Sequence, residues 1–528
     1  MGNECKPYSS LITHHSSLVL ALLTAGGLAL RLVDLGRESF WLDEAGRAAI
    51  AAQPLGAIPS AVGVIELSPP LYHLLLHGWL RVVGDGDVAA RLLSALLGAA
   101  AIPATYLLAS ALLDRRTALV AALLAAVAPL YVVYSREAAM YALFLMLSLL
   151  ATLGYVGWLR RVGGLPSVED LSPSRYPAGR SQLWLYGAAM LLALYTHYYA
   201  LFLVAAQNAH LLGLAWRREL PRGAGRTWLL AQAALIVCYL PWLPLLLRQA
   251  RLAASVSDWA APDPLAALGG LVLAFGVGPA VELPAALVAL VALPALWAGL
   301  RVAARRPGLL VLLGCYLLVP VALGLLAAYP LHAFRERGFI AVAWVPQLLV
   351  AAGLVGLLPT KGEALPAKAY WTVVLRRPSG LVHVYAVALV ALLLYGTATE
   401  IAEPKEAWRD AAALVAALGQ EGDVLFVMHY GSQLALDRYL PDGLPRRGLP
   451  DDFTWALGYT SRYRLEPTDL DRRVAPELTR HRRAWAILSH ADGRGDSLLL
   501  DYFDARYPSV WSQDLYGIRL RLWQLRPD

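Results

Sequence analysis

Apolar runs of about twenty residues recur along the first three quarters of this chain, separated by short breaks that are rich in arginine. Such a run is long enough for an α-helix to cross a hydrocarbon layer of ~30 Å. Hydrophobic residues make up 58% of the sequence and charged residues only 16%, which excludes a soluble multidomain protein. The alternating pattern of an outer-membrane barrel is not apparent in the sequence. We therefore predict an all-α polytopic membrane bundle.

The runs predict about eleven transmembrane helices. A further run, 265–280, is interrupted by Gly276, Gly278 and Pro279, so we interpret it as a re-entrant or interfacial segment. The predicted spans are 18–33, 92–113, 117–134, 138–159, 182–197, 199–216, 227–247, 283–300, 308–329, 338–358 and 381–398.

Charge distribution indicates how these spans are oriented. With the N-terminus in the cytoplasm, the cytoplasmic segments hold 18 Lys and Arg against six Asp and Glu, and the opposite side holds 10 against 12. This asymmetry is the one that the positive-inside rule expects. We therefore interpret the basic excess as an orientation signal and predict no nucleic-acid partner. An odd number of spans places the C-terminus outside the cytoplasm.

Two domains are predicted. Residues 1–399 form the transmembrane domain, with a large first external loop at 34–91 that contains amphipathic helices at the membrane surface. Residues 400–528 have a soluble composition and form a small extracytoplasmic α/β domain. In this second domain we predict a helix within 403–418 and strands at 423–428, 484–488 and 517–525. We detect no nucleotide-binding fingerprint there, and a lid or a stabilising module is an alternative to a catalytic role.

Acidic residues of the first external loop are the leading candidates for chemistry. Asp43 and Glu44 lie in the stretch FWLDEA at 40–45, just beyond the first span, and Glu66 precedes a Ser-Pro-Pro turn in the same loop. Carboxylates at the water edge of a membrane bundle can act as a general base or bind a metal, and they also favour a helix N-terminus. The sequence leaves these alternatives open. Glu66 and His197 are candidate ligands for a divalent metal ion.

Basic and aromatic residues at three predicted outer turns are candidates for binding an anion. Arg136 follows one span. Arg335 and Arg337 lie at another outer turn, on the side where basic residues are otherwise scarce. Tyr198 follows His197 at another outer turn, where an aromatic belt is the alternative to ligand binding. The planar guanidinium is well suited to a lipid phosphate at headgroup level. Ion pairing or snorkelling explains Arg136 equally well.

Five motifs stand out in the first half of the chain. They are RL at 31–32, FWLDEA at 40–45, SPPLYHLLLHGW at 68–79, ARLLSAL at 90–96 and YSREAAMY at 134–141. Together they resemble the bacterial branch of the protein O-mannosyltransferase and aminoarabinose transferase group. The resemblance implies a GT-C fold, a prokaryotic cytoplasmic membrane and the use of polyprenyl-phosphate sugars as donors. In that group the Asp-Glu pair of the first external loop carries catalysis, and it corresponds here to Asp43 and Glu44.

These observations together predict a membrane glycosyltransferase that moves a sugar from a polyprenyl phosphate to an acceptor hydroxyl on the outer face. Asp43 is the predicted general base, and a direct displacement inverts the configuration at the sugar. The acceptor is a glycan, a lipid or a protein. A transporter or flippase of lipid-linked sugars is the alternative, but it has less use for a carboxylate pair outside the membrane.

Overall fold

The computed structural model describes residues 6–165, 181–255, 263–331, 334–358, 378–428, 431–451, 465–489 and 494–526. It is mostly helical, with one small sheet near the C-terminus. The chain divides into two compact units: residues 1–33 with 91–403, and residues 34–90 with 404–528. Residues 34–90, nearly all of the predicted first external loop, therefore belong to the same unit as the C-terminal region. The predicted helical membrane fold with a small C-terminal α/β domain is confirmed.

The first unit consists of helices. In the described part of the chain, seven helices are long and apolar enough to cross a membrane, and four more are apolar but shorter. The helices of this unit are α1 (Lys6–Leu32), α5 (Asp87–Leu112, whose first residues belong to the second unit), α6 (Arg115–Val127), α7 (Pro129–Val133), α8 (Tyr141–Arg161), α9 (Ser181–Leu194), α10 (Ala200–Trp216), α11 (Ala224–Tyr239), α12 (Leu243–Ser255), α13 (Pro264–Phe275), α14 (Ala285–Ala304), α15 (Pro307–Leu331), α16 (Trp344–Leu357) and α17 (Pro378–Ala402).

Three predicted segments differ in detail from the structure. The span 117–134 is broken after α6, because Pro129 begins a separate short helix, α7. The segment predicted as re-entrant contains the helix α13, which ends at Gly276. The span 338–358 begins with a 3₁₀ turn at Glu336–Ala341 before α16 starts. Proline thus sets where α7 begins, and glycine sets where α13 ends.

Glycines allow two long helices of the first unit to pack with their backbones in contact. A Cβ placed on Gly299 of α14 would lie 1.9 Å from the carbonyl oxygen of Leu349 on α16. A Cβ placed on Gly353 of α16 would lie 1.9 Å from the carbonyl oxygen of Ala295. Small residues at such crossings permit the close van der Waals contact that holds helices together in lipid.

The second unit begins with three helices of the first loop, α2 (Leu42–Ala52), α3 (Ile58–Ile65) and α4 (Leu71–Val83). Proline fixes the backbone at the entry to two of them, at Pro59 in the first turn of α3 and at Pro70 directly before α4. α2 packs against α3 and α4. The loop is therefore a small helical layer.

The C-terminal part of this unit is an α/β domain. A sheet of five strands has the order β2-β1-β3-β5-β4, parallel among the first three and antiparallel at β5 and β4. The predicted strands at 423–428, 484–488 and 517–525 are present, and β2 and β4 are additional. The longer elements of the domain are α18 (Trp408–Leu418), β1 (Asp423–Met428), α19 (Ser432–Tyr439), β2 (Arg446–Leu449), β3 (Arg483–Leu488), α22 (Arg494–Asp504), β4 (Ser509–Leu515) and β5 (Ile518–Gln524). Two short helices, α20 (Pro467–Asp469) and α21 (Ala475–Leu478), lie between β2 and β3 in the chain.

Candidate functional site

The acid pair lies in the first turn of α2. Trp41 precedes the helix in an extended conformation, with φ −83° and ψ 173°, so Asp43 and Glu44 follow directly at the helix N-terminus. The helix dipole favours negative charge at this end by roughly 0.3–1 kcal/mol. Glu44 is completely buried, whereas the side chain of Asp43 keeps 26% of its surface exposed. Asp43 is therefore the member of the pair that solvent can reach.

A buried arginine joins Asp43 to Glu66. The Nη2 atom of Arg47 lies 3.1 Å from Oδ2 of Asp43, one helical turn earlier, and 3.4 Å from Oε1 of Glu66. Only 1% of the Arg47 side chain is exposed. Glu66 follows α3 in an extended conformation, which directs the chain toward the two prolines before α4. The structure thus brings the two predicted carboxylates onto one guanidinium.

A histidine of α4 is buried within the electrostatic reach of this arginine. His73 has no exposed surface. Burial and, to a smaller extent, the positive charge of Arg47 lower the pKa of His73 to about 3, and the Pro69 backbone partly opposes this shift. The imidazole is therefore neutral at physiological pH, and it places no positive charge beside the carboxylates.

Glu44 is paired with a lysine from the C-terminal part of the same unit. Nζ of Lys405 lies 3.5 Å from Oε2 of Glu44 and 5.9 Å from the centre of the Trp41 ring. Sequence analysis missed both Lys405 and Arg47. The spacing of four residues between Asp43 and Arg47 is a helical pairing signal that could have identified the arginine. Nothing local in the sequence connects Lys405 to Glu44.

In the first unit, Arg136 is bonded to the end of a helix. Its Nη1 atom donates a hydrogen bond of 3.1 Å to the carbonyl oxygen of Arg31, and it also bonds to the carbonyl oxygen of Val33. These are carbonyl groups at the C-terminus of α1, where helical partners are lacking. Arg136 thus has a structural role, in addition to its candidate role in binding phosphate.

Arg337 belongs to an aromatic cluster of the first unit. Its guanidinium lies 5.4 Å from the centre of the Tyr141 ring, and that ring lies 5.7 Å from the ring of His197. His197 also stacks on Phe144 at 4.9 Å. Cation–π attraction thus holds the Arg337 guanidinium over the face of the aromatic ring.

The two remaining candidates of the first unit differ in their surroundings. Arg335 is exposed, and its backbone N–H donates a hydrogen bond of 3.2 Å to the hydroxyl of Tyr199. The hydroxyl of Tyr198 instead accepts a hydrogen bond of 3.1 Å from Trp242 and donates one to Gln249. Burial raises the pKa of Tyr198 to about 12. Tyr198 therefore bonds to side chains of its own unit, and Arg335 is an exposed residue.

Glu66 and His197, the predicted metal ligands, each have a bonding partner in the structure. Glu66 pairs with Arg47, and Nδ1 of His197 accepts a hydrogen bond of 3.1 Å from the backbone of Tyr199. Among the residues that the structure describes, no group of three or more His, Cys, Asp and Glu side chains has the arrangement of a metal site. A metal ion at Glu66 and His197 stays a prediction.

Comparisons with known proteins agree with this architecture. A family model described as dolichyl-phosphate-mannose-protein mannosyltransferase matches residues 68–161. No protein with a curated description matches the sequence significantly. The chain is a polytopic membrane protein with the GT-C fold, as the sequence motifs led us to expect.

Solved structures of similar fold come from bacteria and archaea. ArnT from Cupriavidus metallidurans superposes with a TM-score of 0.58 at 18% identity, over 95% of this chain and 97% of that chain. Its structure bound to undecaprenyl phosphate gives a TM-score of 0.56 at 16% identity, with the same coverage. The oligosaccharyltransferase from Archaeoglobus fulgidus gives a TM-score of 0.59 at 14% identity, over 96% of this chain and 74% of that chain.

Proposed function

We propose that the protein transfers a sugar from a polyprenyl-phosphate donor to an acceptor hydroxyl at the extracytoplasmic face of a prokaryotic cytoplasmic membrane. The observation that carries this proposal is the difference in exposure within one turn of α2. Glu44 is fully buried and Arg47 is 1% exposed, but Asp43 keeps 26% of its side chain accessible while paired with Arg47. An accessible carboxylate held by a buried arginine is suited to accept a proton from a bound substrate.

In this proposal Asp43 acts as the general base. An acceptor hydroxyl is a weak nucleophile, and a carboxylate within ~2.6–3.2 Å can take its proton as the new glycosidic bond forms. The bond between the sugar and the phosphate breaks at the same time, and its electron pair leaves with the phosphate. Direct displacement of this kind inverts the configuration at the sugar. Glu44 and Glu66 then support the base, Glu44 at the helix N-terminus and Glu66 through Arg47.

The phosphate leaving group needs positive charge rather than a proton donor. Arg337 and Arg335 are the proposed phosphate-binding residues, because the first is held over an aromatic ring and the second is exposed. Arg136 and Tyr198 are further candidates, and each also makes hydrogen bonds within its own unit. Two solved structures support a lipid-linked donor: ArnT bound to undecaprenyl phosphate, and the oligosaccharyltransferase from Archaeoglobus fulgidus in complex with a dolichol phosphate.

The proposal is tested with purified protein, a radiolabelled polyprenyl-phosphate sugar and a cell-envelope extract as the source of acceptor. We expect wild-type protein to consume the donor and Asp43→Asn to lower the rate by about 100-fold or more, since general bases contribute roughly 10²–10⁴-fold. Asp34→Asn is the matched control, because Asp34 is an exposed acid of the same loop. Unchanged turnover in Asp43→Asn would remove Asp43 as the base, and donor translocation without cleavage would favour a flippase.

A further inference from the structure

The segment just before α2 is bonded to the start of the C-terminal domain. The hydroxyl of Ser39 donates a hydrogen bond of 2.5 Å to the carbonyl oxygen of Glu406. The same hydroxyl accepts a hydrogen bond of 3.1 Å from the backbone N–H of Trp408. Ser39 is buried, so both bonds are shielded from water. These contacts fix the chain two residues before Trp41.

Tyr439 holds Phe40, the residue that follows Ser39. Its hydroxyl accepts a hydrogen bond of 2.7 Å from the backbone N–H of Phe40 and donates one to the carboxylate of Asp87. Asp87 in turn accepts hydrogen bonds of 2.8 Å from Arg438 and 2.9 Å from Arg409. The tyrosine is therefore itself anchored within a charged network, which leaves little freedom to the backbone at Phe40.

Arg438 and Lys405 add contacts from side chains of the C-terminal domain. The guanidinium of Arg438 lies 4.4 Å from the centre of the Phe40 ring. Lys405 lies 3.5 Å from Glu44, whose side chain has no exposed surface. A buried carboxylate is costly without a compensating partner, so this lysine stabilises the charged form of Glu44 beside Asp43.

We propose that the C-terminal domain positions the proposed catalytic segment, with Lys405 and Tyr439 as positioning residues for Asp43. This inference rests on the proposed function and gives the domain a role in the reaction. Residues 39, 40 and 44 are each held by a different group of the domain, on both sides of the entry to α2. Small displacements of a catalytic group matter, because an error of ~1 Å can lower a rate by about 100-fold.

The test measures kcat and the KM for the donor in full-length Lys405→Met, Lys405→Arg and Tyr439→Phe. If the base is displaced in every complex, the enzyme stabilises the transition state less but binds the donor as tightly as before. We therefore expect kcat to fall while KM stays the same. We expect Lys405→Met and Tyr439→Phe to lower kcat by about 10-fold, with KM changed less than about twofold. Lys405→Arg should restore at least half of the wild-type kcat. Tyr502→Phe, on α22, is the control for removing a tyrosine hydroxyl from this domain.

Thermal unfolding in detergent shows whether each variant is folded, and the Lys405 series tests the proposal by itself if Tyr439→Phe is unstable. Wild-type kcat in both Lys405→Met and Tyr439→Phe would overturn the positioning role, as would a Lys405→Arg variant no better than Lys405→Met. These outcomes are distinct from failure of the proposed function. If Asp43→Asn is inactive while the positioning variants are fully active, the positioning role is wrong and the proposed function stands. If Asp43→Asn is active, Asp43 is not the base, and the positioning role loses the residue on which it depends.

Discussion

The guanidinium of Arg47 lies 3.1 Å from the carboxylate of Asp43, and the same nitrogen lies 3.4 Å from Glu66. One buried cation therefore compensates two carboxylates of the first loop, one in α2 and one directly after α3. The arginine is 1% exposed, so water cannot replace it if it is removed. Arg47 consequently links the stability of the loop to the position of the proposed base.

Replacement of Arg47 by methionine should destabilise the second unit. The change leaves Asp43 and Glu66 close together without the buried cation, and breaking a buried ion pair in this way costs about 3 kcal/mol or more. We expect the thermal unfolding midpoint in detergent to fall by about 5–10 °C. Arg37→Met is the control, because Arg37 pairs with Glu38 at the surface, with 47% of its side chain exposed. Equal midpoints for the two variants would contradict a buried bridge.

Acidification should destabilise the fold through His73. Its folded-state pKa of about 3 lies below the usual value of 6.5, so the unfolded chain binds a proton more readily. The stability contributed by the neutral imidazole is complete above pH 6.5 and is lost as the pH falls toward 3, by about 1.4 kcal/mol per pH unit. We expect His73→Gln to flatten the decline of the unfolding midpoint between pH 6.5 and 5.

His15→Gln serves as the control for this measurement, since His15 is exposed on α1. It should show the same pH dependence as wild-type protein. A midpoint that falls equally steeply in His73→Gln and in wild type would show that other groups cause the acid sensitivity.

The helical membrane fold could be predicted from the sequence because each span is a long apolar run, whose hydrophobicity is a local property. The strand at Asp423–Met428 was predicted for the same reason, since all six of its residues are buried. β4 and β2 were missed. β4, with the sequence SVWSQDL, is mostly exposed at the edge of the sheet, and β2 begins with two arginines. Neither strand has the hydrophobic pattern on which strand prediction depends.

The candidate site was only partly predictable. Two adjacent carboxylates just beyond a membrane span are unusual, so Asp43 and Glu44 could be identified as candidates from their surroundings in the sequence. Lys405, which pairs with Glu44, and Tyr439, which bonds to Phe40, lie outside that local pattern, because both come from the far end of the chain and meet the first loop only in the folded unit. A long-range contact of this kind leaves no periodicity or spacing that one sequence can display.

Removal of the Arg337 guanidinium should weaken binding of the donor. A charge-assisted hydrogen bond to phosphate is worth roughly 1.5–3 kcal/mol, which corresponds to at least about a tenfold change in affinity. We expect Arg337→Met to raise the dissociation constant for a polyprenyl phosphate by about 10-fold and also to lower kcat at saturating donor, because the same guanidinium neutralises the charge that develops on the leaving phosphate. Arg301→Met is matched to it, because Arg301 also lies over an aromatic ring, 5.0 Å from the centre of Trp297. A similar loss of affinity in both variants would argue against a specific phosphate contact.

A side chain at Gly299 should disrupt the packing of α14 against α16. The first added carbon would lie 1.9 Å from the carbonyl oxygen of Leu349, so the helices must separate or the backbone must shift. Overpacking of this kind costs roughly 1–3 kcal/mol, and we expect Gly299→Ala to lower the unfolding midpoint in detergent. Gly314→Ala on α15 is the matched control, because a Cβ there meets nothing within 4 Å. Alanine favours a helix over glycine by about 1 kcal/mol, so this control should be neutral or slightly stabilised. If Gly299→Ala behaves like Gly314→Ala, the two helices do not pack through backbone contact at this crossing.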